Sequence, residues 1–537
     1  MNYDVVIVGG GAAGLTAAAY LCDAGLNVVL LEKQKTVGGL VNSFERGGFV
    51  FDGGIRAIEN SGIVAPMLRQ LGIDVEFVAS PVSVGFGRDV LRLSSRDSLS
   101  EYQDQLGRQF PKNKDDIAAI IAEIEKVMDY MDVLYGIDNP LFLDLKSDPR
   151  YIFETILPWM LKYILTMPKV GKLNIPVDEY LARFTDNQAL IDMFAQHFFK
   201  KTPTFFALSY FSLYLDYRYP QGGTGTLTEK LAEHVRRKGG MIITEAEASR
   251  VDPSARMVVD SRGGEYKYEK LLWAADSRRL YGSLDPKTIG DRKVAKKIAG
   301  KAAEVADKKG GDSIFSLFLA SNIDKGFFEK ISSPHFFYTP LTKGLSSIAL
   351  SDLKVPSKCG AAPVFTSDKA AIFDWLGRYL DLTTYEISCP VLRDSSLAPK
   401  GKTGLIVSSL FDYSLTRHIR DRGWYEELKT FCASRIIAVL DAAIYPGLKD
   451  SVIDSFASSP LTIEELTGNT DGAITGWAFT NATMPAVHSL PKVASSVLTP
   501  IPHVYQAGQW SFSPSGLPIS ILTGKLAADR IVKDLKK

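Results

Sequence analysis

Cysteine is scarce in this 537-residue chain: Cys22, Cys359, Cys389 and Cys432 are the only four, and no two stand at Cys-x-x-Cys spacing. That excludes a zinc knuckle and a disulfide-stapled scaffold, and it leads us to expect a reducing, cytoplasmic setting. Excess charge is lacking too, since 62 Lys and Arg face 61 Asp and Glu. Without a basic footprint, no nucleic acid partner is expected. The six histidines, His197, His234, His335, His418, His488 and His503, show no i, i+4 pair or cluster, so no metal centre is expected. A Gly-x-Ser-x-Gly elbow is absent, which leaves hydrolysis without support. No window reaches about 18 consecutive apolar residues, so no spanning helix is expected. The first apolar run has no basic segment before it and soon meets glycines, unlike a secretory signal.

What the chain does have is a glycine-rich opening, DVVIVGGGAAGLTAAAYLCDAGLNVVLLEKQKTVGGL, residues 4–40. Val5 to Val8 form an apolar, β-branched run that predicts a buried parallel strand. Gly9, Gly11 and Gly14 come next at Gly-x-Gly-x-x-Gly spacing, with a helix predicted from about residue 12. Gly9 permits the tight turn, Gly11 lets backbone approach a pyrophosphate, and Gly14 lets helix and strand pack closely. The helix N-terminus supplies N–H donors and the positive end of its dipole. A second strand, residues 27–31, ends in Glu32, placed to accept hydrogen bonds from a ribose diol and to disfavour a 2′-phosphate.

Flavin and nicotinamide dinucleotides share this unit, so the choice between them rests on the residues beyond Glu32. Gly38 and Gly39 lie just past the acid, and FERGGFVFDGGIRAI, residues 44–58, places Gly53 and Gly54 where backbone packs against a bulky planar ligand. A nicotinamide domain needs neither element, and FAD is the reading they favour. Asp52 either binds backbone or ribityl groups or caps an Asp-Gly-Gly turn. Arg56 either faces the flavin, as the candidate catalytic side chain, or pairs with Glu59 at the surface.

Several separated segments together resemble the flavin-dependent phytoene desaturase superfamily, which includes carotenoid isomerases and retinol saturases. They are residues 4–58; YPQGGTGTLTEKLAEHVRRKGGMIITEAEASRV, residues 219–251; LLWAAD, ending at Asp276; RDSSLAPKGK, residues 393–402; and VYQAGQWSFSPSGLPISILTGKLAADRI, residues 504–531. The resemblance implies FAD contacts at Gly9, Gly11, Ala12, Ala13 and Gly14, at Glu32 and Lys33, at Gly38, Gly39 and Leu40, and at Gly53, Gly54, Ile55 and Arg56. Further along it implies Ala248 and Val251, Ala275 and Asp276, then Gly508, Gln509, Gly516, Leu517 and Pro518. It makes Gly222, Gly223 and Gly225 a turn packed beside the flavin rather than a second phosphate loop. One departure is Leu40, where many relatives and the amine oxidases carry Arg after the Gly-Gly pair. Isomerase-like and saturase-like members lack that arginine too. A helix starting near Gly516 would aim its N-terminus at charge developing on a reduced flavin, with Pro518 suited to the first turn.

The expected fold is α/β, a Rossmann-like FAD-binding domain interleaved with an α+β substrate domain of mixed or antiparallel sheet plus helices. FAD-binding segments fall at 1–80, 218–312 and 490–537; a helical, membrane-facing substrate segment at 81–217; and a sheet-and-helix substrate segment at 313–489. Alternation at 313–352 and 380–412 predicts an antiparallel sheet over the flavin. Residues 294–309 read as a charged, solvated helix. The stretch FAQHFFKKTPTFFALSYFSLYLDYRYP, residues 194–220, carries six Phe and four Tyr and either walls an elongated apolar cavity or packs a core. Residues 151–176 mix large apolar groups with Trp159, Lys162, Lys169 and Lys172, as interfacial helices do, or form an ordinary core helix.

The expected function is an FAD-dependent oxidoreductase acting on C–C or C=C bonds of a lipophilic, isoprenoid substrate, by desaturation, saturation or flavin-assisted isomerisation. NAD(P)H, a quinone or oxygen would serve as a transient electron partner, and the inner face of a membrane as a peripheral surface. Two alternatives stand beside it: an amine-oxidase-like or protoporphyrinogen-oxidase-like flavoprotein, and a non-catalytic flavin-binding lipid carrier or sensor.

Overall fold

A computed structural model describes residues 2–144, 149–284, 289–357 and 362–536. Cys359 lies outside the described residues, and the other three cysteines are free and buried.

The chain enters on β1 (Asn2–Val8), turns through the glycines into α1 (Ala12–Asp23) and returns on β2 (Val28–Leu31). A hairpin pairs Ser43–Arg46 with Phe49–Asp52 before β3 (Val82–Phe86) and β4 (Asp89–Leu93). Helices α2 (Lys114–Tyr135), α3 (Leu157–Gly171) and α4 (Thr204–Asp216) come next, then α5 (Gly225–Arg237). Strands β5 (Met241–Ile243), β6 (Ala248–Asp252), β7 (Met257–Asp260) and β8 (Glu265–Trp273) return to the first sheet. Strands β9 (Ser313–Ser321), β10 (His335–Thr339), β11 (Tyr385–Ser388), β12 (Thr403–Phe411) and β13 (Val452–Ser458) build the second. The chain closes with β14 (Val504–Gln506) and α6 (Leu517–Leu535).

The first sheet runs β6-β7-β8-β1-β2-β5, with β14 beside β8. Pairings among β14, β8, β1, β2 and β5 are parallel, while β6 and β7 extend the sheet antiparallel. Val5, Val6 and Ile7 are fully buried because both faces of the sheet are covered, which is why β1 reads as an unbroken apolar run. One face carries α1, α5 and α6 through Leu21, Leu231, Val235 and Ile521. Small residues let α1 and α6 touch: a Cβ on Gly524 would stand 2.5 Å from the Ala13 carbonyl oxygen. Trp273, Trp477 and Trp510 cover the opposite face, with Ile298 and Val305 from the charged helix Arg292–Ala306.

The second sheet runs β13-β9-β12-β11-β10-β3-β4. Its pairings are antiparallel except β10 with β3, which is parallel. The sheet is mixed, as expected, with antiparallel pairing among its strands within 313–339 and 385–411; one difference is that the segment after residue 80, expected to be helical, contributes two strands to it before turning helical. Together the elements form the Rossmann-like α/β domain interleaved with an α+β domain.

Candidate active site

The glycines after β1 have separate physical reasons. Gly9 has φ +104°, and a Cβ there would lie 2.6 Å from the Ala274 carbonyl oxygen. At Gly14 a Cβ would fall 2.0 Å from the carbonyl oxygen of Gly9, so helix and strand contact through backbone alone. Gly11 differs, because its Cβ would meet no atom within 4 Å. It faces a cavity of about 970 Å³ that runs from this turn to the aromatic middle of the chain. Gly11 also N-caps α1 with no side-chain cap and no acid in the first turn, leaving the first amides free for an anion.

Glu32 closes the turn from the end of β2. Its carboxylate accepts the Gly10 N–H and the Gln34 N–H, both at 2.7 Å. Burial pushes its pKa up, with the backbone donors Gln34 and Gly10 opposing. Gly38, with φ +123°, donates its N–H to the Gly10 carbonyl at 2.8 Å, so the second glycine pair is laced to the first.

Chain from both ends meets on the wall of the same cavity. Gly508, with φ +90°, lies just past β14 and is held by its N–H donating to Thr523 Oγ1 at 2.9 Å. The α6 N-terminus begins at Leu517 after Gly516, again without a side-chain cap or an acid in its first turn, and with Pro518 inside it. Gly53 and Gly54 line the cavity, yet their glycine identity has a protein cause. A Cβ on Gly54 would lie 1.9 Å from the Leu40 carbonyl oxygen, which accepts the Ile55 N–H at 3.0 Å.

Asp52 is fully buried and points away from the cavity, accepting from Ser43 Oγ, Tyr219 OH, the Thr224 N–H and Thr224 Oγ1 at 2.8–2.9 Å. It therefore clamps the hairpin to the Gly222–Gly225 turn. That turn does not line the cavity; Gly223 and Gly225 are required by close contact with Ser43. The 393–402 loop locks onto the same place, with Asp394 Oδ2 accepting the Gly222 N–H at 2.9 Å and the Arg393 guanidinium 4.5 Å over the Tyr219 ring.

Beyond the glycines the cavity becomes aromatic, with Phe198, Phe206, Tyr210, Tyr217 and Phe337 on its walls. It also holds ionisable groups. Arg56, 3% exposed, donates to the Asp52 and Gly54 carbonyls and, at 3.2 Å, to Ser408 Oγ, while its Nε has no partner. Its surface pairing with Glu59 is excluded by that burial. His335 Nε2 stands 2.9 Å from Glu386 Oε1, misaligned for a hydrogen bond, and Nδ1 is also unpartnered. Burial drives His335 below its usual pKa against the pull of Glu386. Glu386 is a third exposed, but to the cavity. Burial works to raise its pKa, and His335, Arg56 and Arg393 together hold it below the ordinary carboxylate value. Glu59 is pushed up to about 7 by burial, with Asp216 adding. His197, which meets the Tyr214 hydroxyl at 3.3 Å, is lowered to about 4 by burial.

A family profile described as an NAD(P)-binding Rossmann-like domain matches residues 7–71. Prolycopene isomerase 1, chloroplastic, from an Oncidium hybrid cultivar is 24% identical over 565 residues, covering 99% of this chain and 84% of the relative. The 4,4'-diapophytoene desaturase (4,4'-diaponeurosporene-forming) of Staphylococcus aureus (strain bovine RF122 / ET3-1) is 22% identical over 553 residues, 99% of each chain. The chain fits the phytoene desaturase and carotenoid isomerase superfamily. Among solved structures, cyclohexylamine oxidase from Brevibacterium oxydans IH-35A superposes with a TM-score of 0.59 at 13% identity over 100% of both chains, which shows a shared fold.

Of the residues that the phytoene desaturase resemblance implied, the structure places Gly9, Gly11, Ala12, Ala13, Glu32, Gly38, Gly39, Leu40, Gly53, Gly54, Ile55 and Arg56 on the cavity wall. Ala275, Gly508, Gln509, Gly516, Leu517 and Pro518 join them there. Five others lie elsewhere. Gly14 is buried under β1 contacts, and Lys33 turns away to donate to the Glu465 carbonyl at 2.7 Å. Asp276 caps a short helix and accepts the Thr470 N–H at 2.6 Å. Ala248 and Val251 sit on β6 at the antiparallel edge, Val251 fully buried in the core, because the chain bends at Glu245 before that strand. Sequence reasoning missed Glu59, His197, His335, Glu386 and Ser408, which no motif marks.

Proposed function

We propose that this protein is an FAD-dependent oxidoreductase acting on carbon–carbon bonds of a long, isoprenoid-type lipid, by desaturation, saturation or isomerisation of its double bonds. One observation carries the reading: a single cavity joins two uncapped helix N-termini and the Gly11 opening to an aromatic-walled chamber. The residues fit the cofactor, since Gly11 leaves space for a diphosphate that no protein atom fills, and the buried carboxylate of Glu32 closes the turn beside it. Bound there, FAD would supply hydride and electron exchange with substrate carbon. The first-turn amides of α1 would hold the diphosphate, and those of α6 would stabilise negative charge on the reduced ring. Phe198, Phe206, Tyr210 and Phe337 exclude water and orient a flat polyene. Arg56 and Glu386 supply opposite charges in one chamber, and His335 can hold or release a proton beside them. Electrons are exchanged with a transient partner, NAD(P)H, a quinone or oxygen.

The test is anaerobic spectroscopy of the FAD-loaded protein with candidate polyenes, products being identified by chromatography. Bleaching by the polyene marks desaturation. Reoxidation of the reduced protein by it marks saturation, and geometric change without net electron flow, only when reduced, marks isomerisation. Oxidation of an amine instead would overturn the reading, and FAD binding without any turnover would leave a lipid carrier.

A further inference from the structure

Helix α3 presents an apolar stripe to solvent. Phe153, in the turn leading into it, is 69% exposed, and Leu157, Met160, Leu161, Ile164 and Leu165 range from 41% to 71%. Their offsets of 4, 7, 8, 11 and 12 residues from Phe153 put all six on one helical face. Among the described residues 14 large apolar side chains are exposed, and these six fall within one 13-residue stretch. Scattered exposed apolar residues are ordinary, but a contiguous stripe marks an interaction surface. Within α3 only Thr166 is buried. The C-terminal end of the helix reaches the cavity, which Met167, Val170 and Gly171 line together with Met131 and Tyr135 of α2. Trp159 pins the helix by donating its indole N–H to the Val133 carbonyl at 2.6 Å.

Charge decides between occupants. Arg150, Lys162, Lys169 and Lys172 flank the stripe against one acid, Glu154, and all are exposed. A second copy docking the same face on itself would set like charges together and bury only one helix face, less than a stable dimer needs. Anionic headgroups complement those cations, and apolar side chains between lysines suit the interface of a bilayer. Among the described residues no helix is long and apolar enough to cross a membrane, so α3 would lie in the surface plane.

We infer that α3 seats the protein on an anionic lipid surface and that the lipid substrate enters the cavity from the bilayer past the C-terminal end of this helix. The route rests on the proposed lipid chemistry, whereas the docking does not. The test is sedimentation with vesicles of phosphatidylcholine plus phosphatidylglycerol, and of phosphatidylcholine alone, for the wild type, the double variant Leu161→Ser/Leu165→Ser and Lys162→Glu/Lys172→Glu. All four side chains are exposed, so melting and flavin absorbance should be unchanged. The wild type is expected to pellet with the anionic vesicles, the serine variant on the order of tenfold less, and the glutamate variant to lose its preference for anionic lipid. Turnover of vesicle-embedded polyene should fall in the serine variant while turnover in detergent micelles stays. Wild-type protein left in the supernatant with both vesicle sets overturns the inference, as does a dimer in light scattering that the serine variant dissolves. Vesicle-bound protein that turns over no polyene even in micelles contradicts the functional reading and leaves the docking standing.

Discussion

Gly11 and Gly14 are three residues apart and lack side chains for opposite reasons, which separates cofactor binding from folding at the level of single residues. Gly14→Val drives a side chain into the Gly9 carbonyl and should cost about 3 kcal/mol of stability with or without cofactor. Gly11 has φ −77° and ψ −179°, a conformation any residue adopts, and its Cβ would meet only open cavity. Gly11→Val should therefore keep the melting temperature of the cofactor-free protein and weaken FAD binding by about 10- to 100-fold, read by flavin absorbance after gel filtration. Glu59 gives a second residue-level outcome. Its folded pKa of about 7 lies above the 4.5 of the unfolded chain, so the folded state holds a proton that the unfolded chain releases in that window. Stability from this group is present below about pH 4.5 and is lost as pH rises toward 7. Glu59→Gln should remove the slope, so that between about pH 5 and 8 the wild type loses more thermal stability than the variant; equal slopes would show that the carboxyl is solvated. None of this is legible in the sequence, where Glu59 looks like a surface partner for Arg56, and only the closing of α2, α4 and the second sheet buries both.

At the scale of elements, the opening βαβ unit was readable because everything that fixes it is local: β1, the glycine spacing, α1 and the acid at the end of β2 lie within about 30 residues. The second sheet was readable only in part. Its strand β3 pairs in parallel with β10, some 250 positions away, as Val84 does with Phe337. A register of that kind is set by tertiary packing: a Cβ on Gly85 would stand 2.7 Å from the Phe336 ring, a contact no local pattern marks. The hairpin Ser43–Arg46 with Phe49–Asp52 shows how a residue beside the cavity-lining glycines can be a joint. Asp52 gathers four donors from two stretches, Ser43 and Tyr219–Thr224, so Asp52→Ala strands them in a dry site and should cost about 3–5 kcal/mol in chemical denaturation. Asp52→Asn should be milder, since the Tyr219 hydroxyl can turn from donor to acceptor opposite an amide. If the alanine variant instead unfolds like wild type but fails to load FAD, Asp52 acts on the cofactor and the joint is wrongly assigned.

At the scale of the whole molecule, the cavity wall draws on residues as far apart as Gly9, Arg56, Met131, Tyr217, Ala275, Phe337, Ser408 and Gly516, so a ligand there ties together distant parts of the chain. The sequence announced the nucleotide end, whose residues sit in spaced motifs, and Arg56, but not the rest of the ionisable chamber, since His335 and Glu386 come from segments far from Arg56 and Glu59 and meet them only in three dimensions. The same interleaving makes cofactor removal a mechanical test. FAD that binds only the folded chain adds about 2.7 kcal/mol of stability when free ligand exceeds its Kd about 100-fold. The gain should concentrate where the wall is weakest. His488, Ser489 and Leu490 line the cavity from a stretch, residues 479–503, whose regular structure is the short turn Leu490–Ser495. Stripping FAD should lower the thermal midpoint and open this stretch to proteolysis first, with cut sites read by mass spectrometry, while β1 and the strands of the second sheet stay protected. Cleavage between 479 and 503 at equal rates with and without FAD would mean the cofactor does not seat against the carboxyl-terminal wall, and the single-cavity reading would fail with it.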